Sequence, residues 1–449
     1  MPHMEMLTDR RGFLALSLAG AALPILGGEE TGPRILKRQA IPGEKRPIPL
    51  LAYGGIRLPS EGRDKNRIDY AAGEALVDYA YRHGVNWFDT GWTYHEGAGE
   101  RFYGKVLKKY PRESYFFSDK MPTWCVKEAG DVKRIFEEQL KRCQTEYFDF
   151  YLLHSLGSEE EYVRVYHTFG GLEYLREQKR RGRIRHLGFS FHGTSKLMKR
   201  VLDDMPDCEL ALIVVNAYED GKKPDSVVCR RLLTERHVPI AVMEPLGGGR
   251  LGALKGLARK RLTDAKPGST PAEWAFRFAA SEPGVVLVMS GMNKLKHLQE
   301  NIETLGEGFR PFSEEERKVY AETIVEYNRL PTIPCSGCRY CLPCPYGVSI
   351  PEIFTWYNDI LAEGRLPTDS GPNDSQQLRR DFLVSYCNTF PEGARADRCI
   401  GCKRCLNACP QWLFRIPNEM RKISDFVSHV RSAYLEKGGT LFGKGVLSC

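Results

Sequence analysis

From residue 50 the chain repeats one pattern eight times: a short apolar run, a turn, an amphipathic stretch, then another apolar run. The runs are LAYGGIRL (51–58), NWFDT (86–90), YFFSDKM (115–121) and FDFYLLH (148–154), then IRHLGFS (184–190), LALIVVNA (210–217), PIAVMEP (239–245) and VVLVMSG (285–291). Each is brief and rich in β-branched or aromatic residues, as strands buried on both faces should be. The stretches between them have helical period. In DVKRIFEEQLKRC (131–143), Val132, Ile135, Phe136, Leu140 and Cys143 recur at three and four residues and form one apolar stripe. In PAEWAFRFAAS (271–281), Pro271 suits a first helical turn. This alternation predicts an α/β fold, a (β/α)8 TIM barrel over residues 45–330. An open doubly wound sheet competes, but it would carry a glycine fingerprint after its first strand, and no G-x-G-x-x-G follows LAYGGIRL.

Barrels of this kind do their chemistry at the C-terminal ends of the strands. Polar residues there are therefore the candidates. Asp89 closes the second run, and Tyr94 follows it in FDTGWTYHEG. Lys120 ends the third run and His154 the fourth. Alone, each has an ordinary explanation: a strand-end aspartate caps the next helix, and a lone histidine packs in a core. Together at one mouth they suit proton transfer. Lys120 would favour the phenolate of Tyr94, Asp89 would hold Lys120, and His154 would orient a carbonyl or join the relay.

On these residues the segment 50–330 resembles the aldo/keto reductases, which carry an Asp–Tyr–Lys–His tetrad on the same successive elements. The resemblance implies reduction of a carbonyl, or oxidation of an alcohol, with NADP(H) or NAD(H), on a small aldehyde, ketone or sugar. It further implies nucleotide contacts at Gly54 and Gly55, at Ser190 and Asn216, and at Pro245 and Leu246. A phosphate and adenosine clamp is implied in MSGMNKLKHLQENIE, at Ser290, Gly291, Met292, Glu300 and Asn301. The chain departs from the family in places. Phe191 stands where asparagine is common, Asn216 where glutamine is usual, and Met243 or Glu244 where an aromatic stacks on the nicotinamide. Lys294 and Lys296 read equally as nucleotide contacts or as a solvated helix face. Tyr81, Trp92 and Trp124 add aromatic surface that would suit a sugar ring or an apolar aldehyde.

Ten of the fourteen cysteines lie at or beyond Cys335. Cys399, Cys402, Cys405 and Cys409 read C-x2-C-x2-C-x3-C-P, the bacterial ferredoxin pattern for four-iron clusters. Cys335, Cys338, Cys341 and Cys344 form a similar run with one residue fewer before the last cysteine, a shortened spacing shown by the ferredoxin-tailed branch of the aldo/keto reductases. Zinc sites pair two C-x2-C elements instead, and disulfides would strain at such gaps. The fourth ligand of each cluster comes from the other run in this pattern. One [4Fe-4S] cluster would take Cys335, Cys338, Cys341 and Cys409, the other Cys399, Cys402, Cys405 and Cys344. Residues 331–449 are thus expected to form a small, mainly α ferredoxin-like domain with helical stretches (351–364, 375–386) between the runs. Pro331 and Pro334 would stiffen its junction with the barrel. Cys387 and Cys449 fit no motif.

Two electrons move together in hydride chemistry and singly through iron–sulfur clusters. Such a chain could serve a one-electron redox partner; the clusters could equally brace the fold, or the barrel could be a docking scaffold that no longer turns over nucleotide. At the N-terminus, Arg10-Arg11 precede Gly12-Phe13-Leu14 and an apolar stretch, resembling a twin-arginine export signal over residues 1–30. Periplasmic or extracytoplasmic placement is the expectation, with a cytoplasmic one as the alternative. A net charge of +8, with basic and acidic residues interspersed, gives no support for nucleic-acid binding. No stretch reaches the ~20 apolar residues of a spanning helix.

Overall fold

The computed structural model describes residues 34–38, 40–61, 67–335, 337, 339, 341–409, 413 and 415–440. The export-signal segment, Cys338 and Cys449 lie outside the described residues. Eight parallel strands close into a barrel: β1 (Leu51–Gly54), β2 (Trp87–Asp89), β3 (Phe116–Pro122), β4 (Phe148–Leu156), β5 (Ile184–Phe191), β6 (Ala211–Val214), β7 (Ile240–Met243) and β8 (Val285–Ser290). Closure is made by β8 on β1, with Val288, Met289 and Ser290 opposite Leu51, Ala52 and Tyr53.

All eight expected runs become strands, some of them shorter than the apolar stretch suggested. The first stops at Gly54 because the chain must turn there against β2. A Cβ on Gly55 would stand 2.6 Å from the Asp89 carbonyl oxygen and from the Tyr103 ring, so only glycine fits. The seventh stops at Met243, where Glu244 takes a left-handed φ of 52°.

Helices follow the strands in turn: α1 (Tyr70–Arg82), α2 (Ala98–Val106), α3 (Ala129–Cys143), α4 (Gly171–Arg180), α5 (Ser195–Asp204), α6 (Pro224–Glu235), α7 (Pro271–Ala280) and α8 (Leu295–Thr304). The stripe read in the sequence is the buried face of α3, whose start is fixed by a reciprocal cap between Glu128 and Asp131. Pro271 opens α7, and the Thr270 hydroxyl caps it by accepting from the Glu273 N–H.

The barrel interior is filled with side chains. Trp87 stacks on Phe150 and Phe116, with ring centroids 4.3 and 5.3 Å apart. The N-terminal end is closed by Arg46, which lies 4.0 Å over the Phe116 ring and bonds fully buried Asp149 at 2.6 Å. Arg112 and Arg185 pair with the same carboxylate at 2.7 and 3.3 Å. The C-terminal mouth is left for chemistry.

Helix α9 (Glu314–Arg329) is closed by Leu330 at its C-cap. Beyond it come α10 (Ile350–Ala362), α11 (Gln376–Thr389) and α12 (Ile416–Glu436). Trp356 packs among Phe382, Tyr386 and Phe390 with centroids 5.1 to 5.8 Å apart. Among the described residues no ferredoxin-like subdomain is set apart from the barrel as a compact unit of its own. Arg250, in the loop after β7, donates to the Pro334 carbonyl at 3.0 Å, and Lys255 pairs with Asp359 at 3.4 Å. Among the described residues no helix is long and apolar enough to cross a membrane.

Candidate active site at the barrel mouth

The four tetrad residues come together. Asp89 ends β2 opposite Ser118 of β3, and Pro122 of β3 pairs with His154 of β4. The Lys120 ammonium donates to Asp89 Oδ2 at 2.6 Å and to the Thr90 carbonyl at 2.6 Å. The Tyr94 ring lies beside the ammonium, its centroid 5.0 Å away. Ser118 holds the other oxygen of Asp89 by donating to Oδ1 at 2.7 Å. Lys120 and Asp89 are 1% and 2% exposed, so no water competes for the pair.

Burial dominates the electrostatics. It opposes the charge on Lys120, but Asp89 and then Tyr94 outweigh it, and the ammonium is held above the ordinary lysine range. Burial pushes the Tyr94 phenol up; Lys120 pulls it back and Asp89 adds to the rise, leaving it above its ordinary value. His154 is pushed well below the usual histidine range by burial and then by the charges of Lys120 and His192. It is therefore neutral near pH 7. Its buried Nδ1 has no hydrogen-bond partner. The imidazole lies edge-on to Tyr94, centroids 6.0 Å apart, with Trp124 at 4.8 Å on its other side.

The expected nucleotide contacts divide into groups. Gly54 and Gly55 line the turn at the top of β1, where a Cβ on Gly54 would meet the Ser290 carbonyl at 3.3 Å. Ser190 is buried and accepts from the Ser155 N–H at 2.7 Å. Asn216 caps the turn after β6, accepting from the Glu219 N–H at 2.9 Å and donating to the Glu244 carbonyl at 2.8 Å. One amide hydrogen and one oxygen lone pair of Asn216 remain for a ligand. Pro245 is buried and Leu246 half-buried at the end of β7.

In the clamp segment, Met292 turns its carbonyl to the Tyr53 hydroxyl at 2.6 Å. Asn301 faces inward to Ser290 Oγ at 3.3 Å rather than outward. Glu300 pairs with Lys296 at 3.7 Å, and Lys294 and Lys296 are exposed, as a solvated face would have them. Of the aromatics, Trp124 reaches the tetrad. Trp92 is held 3.8 Å under Arg142, and Tyr81 stacks on Tyr110 at 4.0 Å.

Sequence reasoning missed Ser118 and Arg57. Ser118 lies two residues before Lys120, so strand alternation alone puts both on the barrel interior. Arg57 reaches from the turn after β1 to the Gly248 carbonyl at 3.0 Å, with its side chain against Gly291. It spans the groove between the loops after β1, β7 and β8, a position that no local pattern signals.

The cysteine runs also come together. Cys335, Cys341, Cys344, Cys399, Cys405 and Cys409 all border one apolar cluster built on Ile333, Ile353, Phe354 and Met420. The Cys405 thiol is pushed up to about 11 by burial and by the neighbouring Cys399, Cys402 and Cys344. Among the described residues no group of three or more Cys, His, Asp or Glu side chains could hold a single metal ion. Cys387 is disulfide-bonded.

A closed parallel barrel with a buried acid–lysine–tyrosine set and a neutral histidine at its C-terminal mouth defines a class of barrel oxidoreductase. Residues 50–319 match the model of the aldo/keto reductase family, and the chain belongs to that family. It is 24% identical over 289 residues to the uncharacterized oxidoreductase YqkF of Bacillus subtilis, covering 59% of this chain and 90% of that protein. It is 24% identical over 255 residues to L-galactose dehydrogenase of Arabidopsis thaliana, covering 52% and 77%. Among solved structures, an aldo-keto reductase from Klebsiella pneumoniae in complex with NADPH superposes with a TM-score of 0.51 at 20% identity, over 64% of this chain and 96% of the other.

Proposed function

We propose that this protein interconverts a small carbonyl compound and its alcohol with NADP(H). One observation carries the reading: the buried Lys120 ammonium is held by Asp89 and the Thr90 carbonyl beside the Tyr94 ring at the barrel mouth. The bound nucleotide would supply or accept the hydride. In reduction, Tyr94 gives its proton to the carbonyl oxygen, and Lys120 stabilises the phenolate left behind. Asp89 keeps Lys120 charged and aimed. Neutral His154 orients the carbonyl by a hydrogen bond, and Trp124 supports its ring. Gly54, Gly55, Ser190, Asn216, Arg57 and the 290–292 backbone would hold the nucleotide. NADP is favoured over NAD by family habit and by the NADPH in the Klebsiella relative. Among the relatives, the dehydrogenase named for L-galactose supports a sugar or sugar-like substrate.

The test is Tyr94→Phe with NADPH and an aldehyde and sugar panel. Turnover should fall by ~10²–10⁴, the usual worth of a placed general acid, while nucleotide binding persists. Unchanged turnover would move the chemistry elsewhere.

We further propose that the tail holds two [4Fe-4S] clusters, on Cys335, Cys338, Cys341 and Cys409 and on Cys399, Cys402, Cys405 and Cys344. The clusters would supply one-electron chemistry between the barrel and a redox partner. A purely bracing role has its own support, because six of these cysteines border the apolar cluster that organises the tail. Anaerobic purification with iron and sulfide quantification tests the clusters themselves. Electron paramagnetic resonance after NADPH, and then after dithionite, separates relay from bracing: clusters reduced only by dithionite leave bracing. Export by the twin-arginine route, which carries folded proteins, fits a chain that must receive its clusters before leaving the cell. Retention of residues 1–30 in a purely cytoplasmic pool would refute that placement.

A further inference from the structure

Lys120 has a second carboxyl group behind it. Successive strand residues point to opposite faces, so Lys120 faces the barrel interior while Asp119 faces the helical layer. There Asp119 is fully buried, as are Glu100 of α2 and Gln139 of α3. The Gln139 amide nitrogen lies 2.9 Å from Asp119 Oδ1, 3.2 Å from Glu100 Oε1 and 3.0 Å from the Lys120 carbonyl. The Tyr151 hydroxyl donates to the Gln139 oxygen and fixes which way the amide points. Asp119 Oδ1 also accepts from the Lys120 N–H at 2.7 Å, and Oδ2 faces the Cys143 thiol at 3.5 Å.

Charge in this layer does not balance if every acid ionises. Three buried carboxylates (Asp89, Asp119, Glu100) would face two cations, Lys120 and Arg142. Asp89 has Lys120 at 2.6 Å, and Glu100 has Arg142 at 3.1 Å. No described ion pair is made by Asp119. A buried charge without a partner costs several kcal/mol, more than taking up one proton. The other charged or titratable groups facing the pair do not change this ranking: exposed Arg101 and Glu138, which shares Arg142 at 2.9 Å, lie on the Glu100 side, and Tyr151, Cys143 and Tyr94 are neutral as acids.

We propose that Asp119 and Glu100 form an acid pair bridged by Gln139, in which Asp119 keeps a proton at working pH and acts as a neutral positioning residue for Lys120, so that Asp89 alone supplies negative charge to the tetrad. The electrostatics agree: burial and then Glu100 push the Asp119 carboxyl well above its ordinary range. The consequence lies in Tyr94. A second anion behind Lys120 would raise the phenol further and divide the lysine's charge between two acids. A protonated Asp119 keeps the lysine's field for the tyrosine and still fixes the β3 backbone through the Lys120 N–H.

This rests on the tetrad chemistry proposed above, but its first test does not. Infrared difference spectra of the whole protein across pH should show a protonated carboxylic acid persisting at neutral pH, and that band should vanish in Asp119→Asn. In Glu100→Gln, which keeps the shape and removes the neighbouring charge, the band should titrate away at lower pH. The second test is the pH profile of turnover: Asp119→Asn, an uncharged near-isostere of the acid, should leave its Tyr94 limb in place. No protonated carboxyl at neutral pH would overturn the proposal, and so would a Glu100→Gln band that titrates as in the parent. A Tyr94 limb moving to lower pH in Asp119→Asn would likewise show that an ionised Asp119 had been present. If no turnover is found on any substrate, the infrared arm still decides the proton's location.

Discussion

Replacing Asp89 with asparagine leaves the Lys120 ammonium buried with the neutral Thr90 carbonyl as its acceptor, beside the Tyr94 ring. The geometry sets the size of the effect. The pair is 1–2% exposed and 2.6 Å apart, and removing one partner of a buried pair costs about 3–5 kcal/mol. The loss must depend on pH, and the sign follows from Lys120. In the parent, the folded-state lysine is held above its unfolded value, so its contribution is complete below about pH 10 and is lost only as pH rises past that. In Asp89→Asn, burial acts without its main opponent and the folded-state lysine falls below the unfolded value. The unfolded chain then binds more protons between the two values, so the variant gains stability as pH rises. The gap between parent and variant should therefore be widest near pH 6–7 and narrow towards pH 9–10. Urea unfolding followed by tryptophan fluorescence at pH 6, 7.5 and 9 measures it. A gap under about 1 kcal/mol, or one constant across that range, would show that the Asp89–Lys120 pair is not the buried charge contact described.

Other outcomes follow from the same charges. Carbonyl reduction should hold steady through neutral pH and fall only as pH passes the raised Tyr94 value, above about 10, while alcohol oxidation rises over that interval; a reduction limb near pH 7 would contradict it. His154→Phe should raise KM for the carbonyl substrate and lower turnover by on the order of tenfold or more without a new pH limb near 6–7, because the native ring is already neutral there. At the closed end of the barrel, Asp149→Ala takes a carboxylate from Arg46, Arg112 and Arg185, of which Arg46 keeps Glu44 and Arg185 keeps Glu113, and leaves the buried Phe117 N–H without its acceptor; it should cost about 1–3 kcal/mol in urea unfolding with nucleotide affinity unchanged. Cys405→Ser should roughly halve the iron content of anaerobically purified protein if the second cluster is held as proposed; unchanged iron would exclude that ligand set.

The barrel and the tetrad were legible in the sequence for a local reason. Strands buried on both faces must be short apolar runs, and helices that cover them must carry one apolar stripe, so the eight alternations are visible without any contact information. Strand ends are then visible as the places where those runs meet polar residues, which is how Asp89, Lys120 and His154 stand out. The cysteine spacing is likewise a local property of the chain.

What the linear chain could not express is which polar groups share one low-dielectric space. Ser118, Thr90, Glu100 and Gln139 join Asp89, Lys120 and Asp119 only because β2, β3, α2 and α3 pack together, bringing residues separated by about 20 to 40 positions within 3.2 Å. Arg57 spans the groove between the loops after β1, β7 and β8 because the first and eighth strands are neighbours in a closed barrel, an adjacency between the two ends of the repeat. Asn301 faces Ser290 rather than solvent because its place on α8 turns it inward, which a residue-by-residue resemblance does not reveal. Residue types and their period follow from what each segment must bury. Ionisation, hydrogen-bond partners and the balance of buried charge depend on distances across the fold, and only the closed barrel sets those.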